Sequence, residues 1–265
     1  MSLTLLDRNS VWRLWKGGFK SRHDNKESDN RMIVSISCKL GPTMKTKNIQ
    51  ILISCLILAS FLLGAYLYPI MPERMASHWD ASGSVNGHLP KLWGLFLMPV
   101  ISAVLFLAYL VIPRIDPLKE NIAKFRAYYD KFILLLLGFL FYIYLLTIFW
   151  NLGYRFNIIQ LMAPAIGLLI FYAGVMTENA KQNWFIGVRT PWTLSSVGVW
   201  NKTNRLAGKL FKAAGVMAAL GAAFPEHAIW FILVPVILAG VYPLIYSYWE
   251  YRREIGVSEN RRNLN

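Results

Sequence analysis

Six apolar runs, each long enough to cross a bilayer as a helix, alternate along the chain with short polar segments. They fall near residues 49–70, 92–112, 132–150, 158–176, 206–224 and 228–248. Crossing about 30 Å of hydrocarbon takes about 20 helical residues, and lipid offers the backbone no hydrogen-bond partners, so each run is predicted to be a helix. The first contains no charge, and the third (FILLLLGFLFYIYLLTIFW) is the clearest. Pro113 is expected to close the second. The fifth is rich in Ala and Gly, which favours close helix packing, and carries Lys209 and Lys212 in its first turns. Those lysines are expected to snorkel to the interface or to precede the span. The pattern predicts an all-α fold, a polytopic membrane bundle of six transmembrane helices.

Charge gives the bundle its orientation. The chain has 265 residues, 55% hydrophobic and only 16% charged, with a net charge of +14, where a soluble domain carries about a quarter charged residues. With the N-terminus inside, the outer segments hold only Arg74, Lys91 and Arg155. Lys45, Lys47, Arg114, Lys119, Lys124, Arg126, Lys131, Lys181, Arg189, Lys202, Arg205, Lys209, Lys212, Arg252, Arg253, Arg261 and Arg262 all fall on the other side. The positive-inside rule then sets both ends in the cytoplasm, N-in and C-in, in the plasma membrane. Tyr66, Tyr68, Trp93, Trp150, Trp230 and Trp249 lie near span ends, where aromatic belts form. The net charge is therefore assigned to a membrane-lipid partner rather than to nucleic acid. Residues 1–43 are polar and mixed in charge, with no apolar signal-peptide core. Met44 followed by Lys45, Lys47 and the first span makes a natural beginning, so 1–43 is expected to be a disordered extension or to reflect a start set too far upstream. The segment 11–20 (VWRLWKGGFK) has the amphipathic character of a piece lying on the membrane. Residues 254–265 are expected to be a basic cytoplasmic tail, on account of Arg261 and Arg262. Cys38 and Cys55 predict neither a disulfide nor a metal pair.

No Asp, Glu, His, Lys or Arg occupies the middle of a span, whereas ion-coupled transporters and pumps keep such groups for charge relay. The spans hold no Ser-His or Asp pair for proteolysis, and the chain has no nucleotide-binding Gly-rich loop. No catalytic residue, enzyme activity or cofactor is predicted. A passive transporter or lipid-interacting scaffold is compatible with this composition.

Two loops carry the remaining information. The outer one, 67–94, is full of turn formers, and Ala81 to Gly83 and Asn86-Gly87 both read as turns. His78, Asp80 and His88, with Glu73 near, suggest a metal site, but the spacing fits no compact zinc pattern and the loop is rich in Gly and Ser, so no metal is assigned. His78 is expected to hydrogen-bond within the loop, and His227 to be an interfacial residue. In the inner loop, 183–211, Pro191 fixes its own φ and keeps Thr190 extended, and Ser195 or Ser196 can cap a helix starting near Val197. On that helix Lys202, Arg205, Lys209 and Lys212 share about a quarter-turn arc, with Trp200, Thr203, Leu206, Ala207, Leu210 and Phe211 opposite. The amphipathic segment suits the cytoplasmic interface and is expected to run on into the fifth span, either as a cover on the bundle or as a docking surface. Arg189 is expected to pair with Glu178 or to cap helix carbonyls.

Pro72, His78, Trp79, Gly83, Asn86 and Gly87 in the outer loop, and Asn183, Gly187, Arg189, Thr190, Pro191, Thr193, Trp200, Arg205 and Gly208 in the inner one, together resemble the paired signatures of the SdpI family of bacterial and archaeal membrane proteins. The spacing, order and span count agree from about Met44 to Arg253, with an extracytoplasmic-loop region over 44–113 and a four-span region over 114–253. Asn204 stands where the family commonly has His, and Trp79 where Phe is commoner. The resemblance implies immunity to a secreted antimicrobial peptide toxin, contacted by the outer loop. It also implies signalling to a cytoplasmic winged-helix repressor through the segment 183–208, and the departure at 204 bears on any role that needs a titrating imidazole there.

Overall fold

The computed structural model describes residues 44–224 and 226–262, with side chains through 257; the expectations for 1–43, Cys38 included, lie outside the described residues. Helix α1 spans Thr46–Leu67, followed by strands β1 (Arg74–Trp79) and β2 (Val85–Pro90) and helix α2 (Lys91–Ile115). A short α3 (Lys119–Lys124) leads to α4 (Arg126–Asn151) and α5 (Ile158–Asn179). Then come α6 (Pro191–Ser195), α7 (Val197–Leu220), a 3-10 turn (Gly221–Ala223) and α8 (Ala228–Arg262). Six of these helices, α1, α2, α4, α5, α7 and α8, are long and apolar enough to cross a membrane. Their outward faces leave large apolar side chains such as Leu58, Leu62, Val104, Leu107, Ile237 and Leu238 exposed. Water does not tolerate so wide an apolar surface on a monomer, and a bilayer does.

Three expectations need correcting. Pro113 does not end the second span, because α2 runs through it to Ile115 and stops where Asp116 turns extended (φ −63°, ψ 125°). A proline near a helix end loses only bonds that fray there anyway. Lys209 and Lys212 do not open the fifth span. The amphipathic segment runs on into the span as expected, in one helix from Val197, and Lys212 is half-buried and paired with Glu178 of α5 at 2.5 Å. The outer loop is an antiparallel hairpin, in which Asn86 and Gly87 lie within β2 rather than in a turn, and Ala81 to Gly83 form the connection.

Two buried clusters hold the bundle, one toward each membrane face. Ile49, Ile53, Tyr109, Phe125, Tyr129, Met176 and Trp200 pack at the inner end. Leu67, Met71, Met75, Leu95, Tyr144 and Ile148 pack at the outer end. The most extensive helix contact joins α5 and α7. There a Cβ on Gly174 would come within 2.6 Å of the Gly208 carbonyl, and one on Gly215 within 2.6 Å of the Gly167 carbonyl. Small residues seven apart on both helices let the backbones touch, the packing that replaces hydrophobic driving force inside lipid.

Candidate functional site

On the outer face the hairpin is fixed to the bundle at several points. Asn151, at the end of α4, accepts a hydrogen bond from the Ala76 amide at 2.8 Å and donates to the Ala76 carbonyl at 3.0 Å. It occupies one edge of β1 as a strand partner would. Met75 is fully buried against Gly94 of α2, where a Cβ would meet its sulfur at 2.8 Å. Lys91 pairs with Glu73 at 2.7 Å. Trp79 stands edge-on to Trp150, with ring centroids 5.8 Å apart. At the connection the Asp80 carboxylate accepts from the Ser82 hydroxyl at 2.6 Å and from the amides of Ser82 and Ser84 at 2.9 and 3.0 Å. Those bonds, the Ser82 hydroxyl first and then the Ser84 amide, hold its carboxyl below the usual range. Gly83 has φ +83°, a conformation that favours glycine.

Of the residues singled out in this loop, Pro72, His78 and Asn86 are exposed, while Trp79, Gly83 and Gly87 are half-buried. His78 faces Gly87 across a bulge in the register, and its Nδ1 lies 2.9 Å from the Ser77 hydroxyl. Among the described residues no three His, Cys, Asp or Glu side chains gather closely enough to hold a metal, so His78, Asp80 and His88 do not form a cluster. Beside the hairpin an open groove of about 580 Å³ is lined by Pro72, Arg74, His88, Trp150 and Arg155 among others.

On the inner face the segment between α5 and α7 is folded by its own polar side chains. Asn183 is fully buried. Its amide donates to the carbonyls of Lys181 and Ile186 at 2.8 and 2.9 Å, and its oxygen accepts from the amides of Phe185 and Ile186 at 2.9 and 2.6 Å. Four backbone groups of an irregular loop are thereby satisfied by one residue. Gly187 follows with φ +105°, and a Cβ there would lie 2.5 Å from the Asn204 oxygen. Asn204, 1% exposed, accepts from the Val188 amide at 2.8 Å and donates to the Trp200 carbonyl at 3.1 Å. Thr190, extended at φ −122° and ψ 163°, caps α6 in a reciprocal capping box with Thr193, and Pro191 occupies the first helical position. The Thr190 hydroxyl also reaches Ser247 of α8 at 3.1 Å. Thr193 donates to the Val188 carbonyl at 3.0 Å. Ser196, rather than Ser195, caps α7 through the Val199 amide at 3.2 Å, and Trp200 donates to the Ala180 carbonyl at 2.9 Å.

The remaining two residues of this motif divide by position. Gly208 is buried at the crossing with α5. Arg205 is exposed and has no partner among the described residues. The pairing expected between Arg189 and Glu178 does not form, since Glu178 holds Lys212. Arg189 is exposed and donates to the Trp184 carbonyl at 2.8 Å, a loop carbonyl rather than the helix carbonyl expected.

Sequence reasoning missed the groups that tie these loops to the bundle. Asp116, 2% exposed, accepts from the Leu118 amide at 2.6 Å and the Trp184 amide at 2.9 Å, joining the α2–α3 turn to the inner segment. Asn121 donates to the Gln182 carbonyl at 2.9 Å. Asp130, 1% exposed, accepts from Thr46 of α1 at 2.6 Å, Tyr109 of α2 at 2.9 Å and Arg126 at 2.5 Å. Glu250 of α8 pairs with Lys202 of α7. The available signal was acidic residues at the inner ends of apolar runs, where an unpaired carboxylate is costly and a partner must exist.

A family model described as the SdpI/YfhL protein family matches residues 179–247, which contain the inner segment, and a domain of unknown function (DUF1648) matches residues 55–103, which contain the hairpin. The chain is 31% identical over 211 residues to the immunity protein SdpI of Bacillus subtilis (strain 168), covering 79% of this chain and 98% of that protein. No solved structure matches the chain. The two signature regions, in order and on opposite faces of a six-span bundle, together with this nearly full-length likeness, establish that the chain is a multi-pass membrane protein that belongs to the SdpI/YfhL family.

Proposed function

We infer that this protein protects its cell against a secreted antimicrobial peptide, by a binding role rather than an enzymatic one. The outer hairpin meets the peptide, and the inner segment passes the bound state to a cytoplasmic partner, a winged-helix repressor. The observation that carries the reading is the hairpin itself. It is held by a side chain acting as a strand partner, with buried Met75 as an anchor, while His78, Asn86 and Pro72 stay exposed. A pre-ordered polar edge of this kind binds without a large ordering cost. The relative that this chain spans almost completely is named an immunity protein.

A route between the faces lies in α4. The helix grips the hairpin through Asn151 at its outer end and binds α1 and α2 through Asp130 at its inner end. A peptide that favours one setting of this rigid element shifts the population of both faces, provided it has different affinity for the two settings. At 204 the role is served by a neutral acceptor for the Val188 amide, which asparagine supplies without an imidazole.

The test is survival of a sensitive host that expresses the chain and is challenged with a panel of secreted membrane-active peptides. Protection is expected, and it is expected to fall in His78→Ala and Arg189→Ala at equal membrane abundance. No protection against any peptide by a well-folded protein would favour a passive transporter or lipid-interacting scaffold instead.

A further inference from the structure

A second groove lies on the inner face, and none of its lining residues belongs to either motif loop. It encloses about 520 Å³ between the start of α1, the end of α2, α3 and the start of α4. Arg114, Lys119 and Arg126 form a cationic rim, Thr46 and Gln50 supply a hydroxyl and an amide, and Leu110 and Pro113 make an apolar wall. Arg126 is pre-positioned, with its guanidinium 4.8 Å from the Tyr109 ring centre and 5.5 Å from that of Tyr129 and its Nε bound to Asp130. Asp130 neutralises that one cation and is itself closed off by Thr46 and Tyr109. Arg114 donates only to the Leu110 carbonyl, and Lys119 has no side-chain partner among the described residues. Two cations therefore face the groove without a carboxylate. Toward the bilayer centre α2 presents Val104, Leu107 and Val111, all exposed, on the same helical face as Arg114.

From this juxtaposition we propose that the groove is a binding site for the phosphate headgroup of an anionic inner-leaflet phospholipid. Its phosphate sits among Arg114, Lys119 and Arg126, its glycerol near Thr46 and Gln50, and its acyl chains along the apolar face of α2. Cation-lined pockets between spans on the cytoplasmic side are where anionic headgroups bind, and guanidinium forks match phosphate oxygens. The apolar wall and the aligned lipid-facing stripe select a lipid over a soluble phosphate, whose affinity would gain nothing from either.

The experiment uses the full chain purified in detergent with equal amounts of phosphatidylglycerol and phosphatidylcholine of identical acyl chains, and reads retained lipid by native mass spectrometry. Phosphatidylglycerol is expected to be retained in preference. Arg114→Gln with Lys119→Gln is expected to lower that retention about thirtyfold, and the charge-preserving Arg114→Lys with Lys119→Arg to keep most of it. Lys209→Gln with Arg252→Gln removes two cations of the same face from α7 and α8, where neither lines the groove, and is expected to have little effect. Equal retention of the two lipids, or an equal loss in the Lys209 and Arg252 pair, would overturn the site in favour of diffuse attraction. Displacement of the lipid by millimolar inorganic phosphate would overturn the lipid assignment in favour of a soluble anion.

Discussion

Asn183 and Asn204 do at the inner face what regular secondary structure does elsewhere. Each supplies bonds that an irregular backbone at the membrane boundary would otherwise lack. Replacing Asn204 by alanine leaves the Val188 amide without its acceptor, a loss of about 1–3 kcal/mol, read as a lower unfolding midpoint in detergent. Asn204→His keeps a neutral acceptor and is expected to recover most of that loss at pH 7.5. Failure of histidine to do better than alanine would remove the acceptor role. Gly187→Ala is expected to destabilise on two counts, because its φ is +105° and its Cβ would collide with the Asn204 oxygen. Asp80 has a lowered pKa in the folded hairpin, so its bonds contribute fully above the ordinary carboxylate range and are lost as the pH falls through the depressed value. The identities of these motif residues were legible in the chain, but their roles were not. Asn183 is only a motif position until the Ile186 amide and carbonyl that it bonds are located, and Arg189 bonds the Trp184 carbonyl while Glu178 pairs with Lys212.

At the scale of elements, the hairpin and the α5–α7 pair carry the architecture. Asn151→Ala removes both bonds to Ala76 while Met75 and the strand pairing stay. Amide exchange is therefore expected to rise in residues 74–90 and to remain unchanged in α1 and α2. Unchanged exchange in the hairpin would mean that Met75 and Trp79 hold it alone. Gly174→Leu forces α5 and α7 apart at a backbone contact and is expected to cost at least about 1–3 kcal/mol, again read from the unfolding midpoint. The helices were legible because 20-residue apolar runs admit one solution in lipid. The hairpin was not, because its strands are six residues each, its register is interrupted by bulges, and Asn86-Gly87 imitates a turn while lying in β2. What stabilises the hairpin is Asn151, 75 residues from Ala76, a distance that local pattern does not reach. The start of the fifth span escaped for a related reason. Its lysines mark a boundary only if they are unpaired, and Lys212 is neutralised from another helix.

For the whole molecule, an even number of spans and a one-sided basic distribution place the hairpin outside and the inner segment inside. Both features are fixed by composition along the chain and needed no tertiary detail. The carboxylates that bind span to span, Asp130, Glu178 and Glu250, sit toward the inner ends of the helices, and farther out the bundle is held by apolar contacts, close glycines and the Tyr144 hydroxyl on the Ser60 carbonyl. On the proposed reading, a change at the outer face reaches the inner one through α4, which is bonded to the hairpin at one end and to α1 and α2 at the other. The claim that protection depends on a docked hairpin is tested most directly by peptide challenge of cells carrying the native chain or Asn151→Ala at matched membrane abundance. Survival with the native chain and its loss with Asn151→Ala is the predicted result; equal survival of the two, or no protection by the native chain, would contradict it.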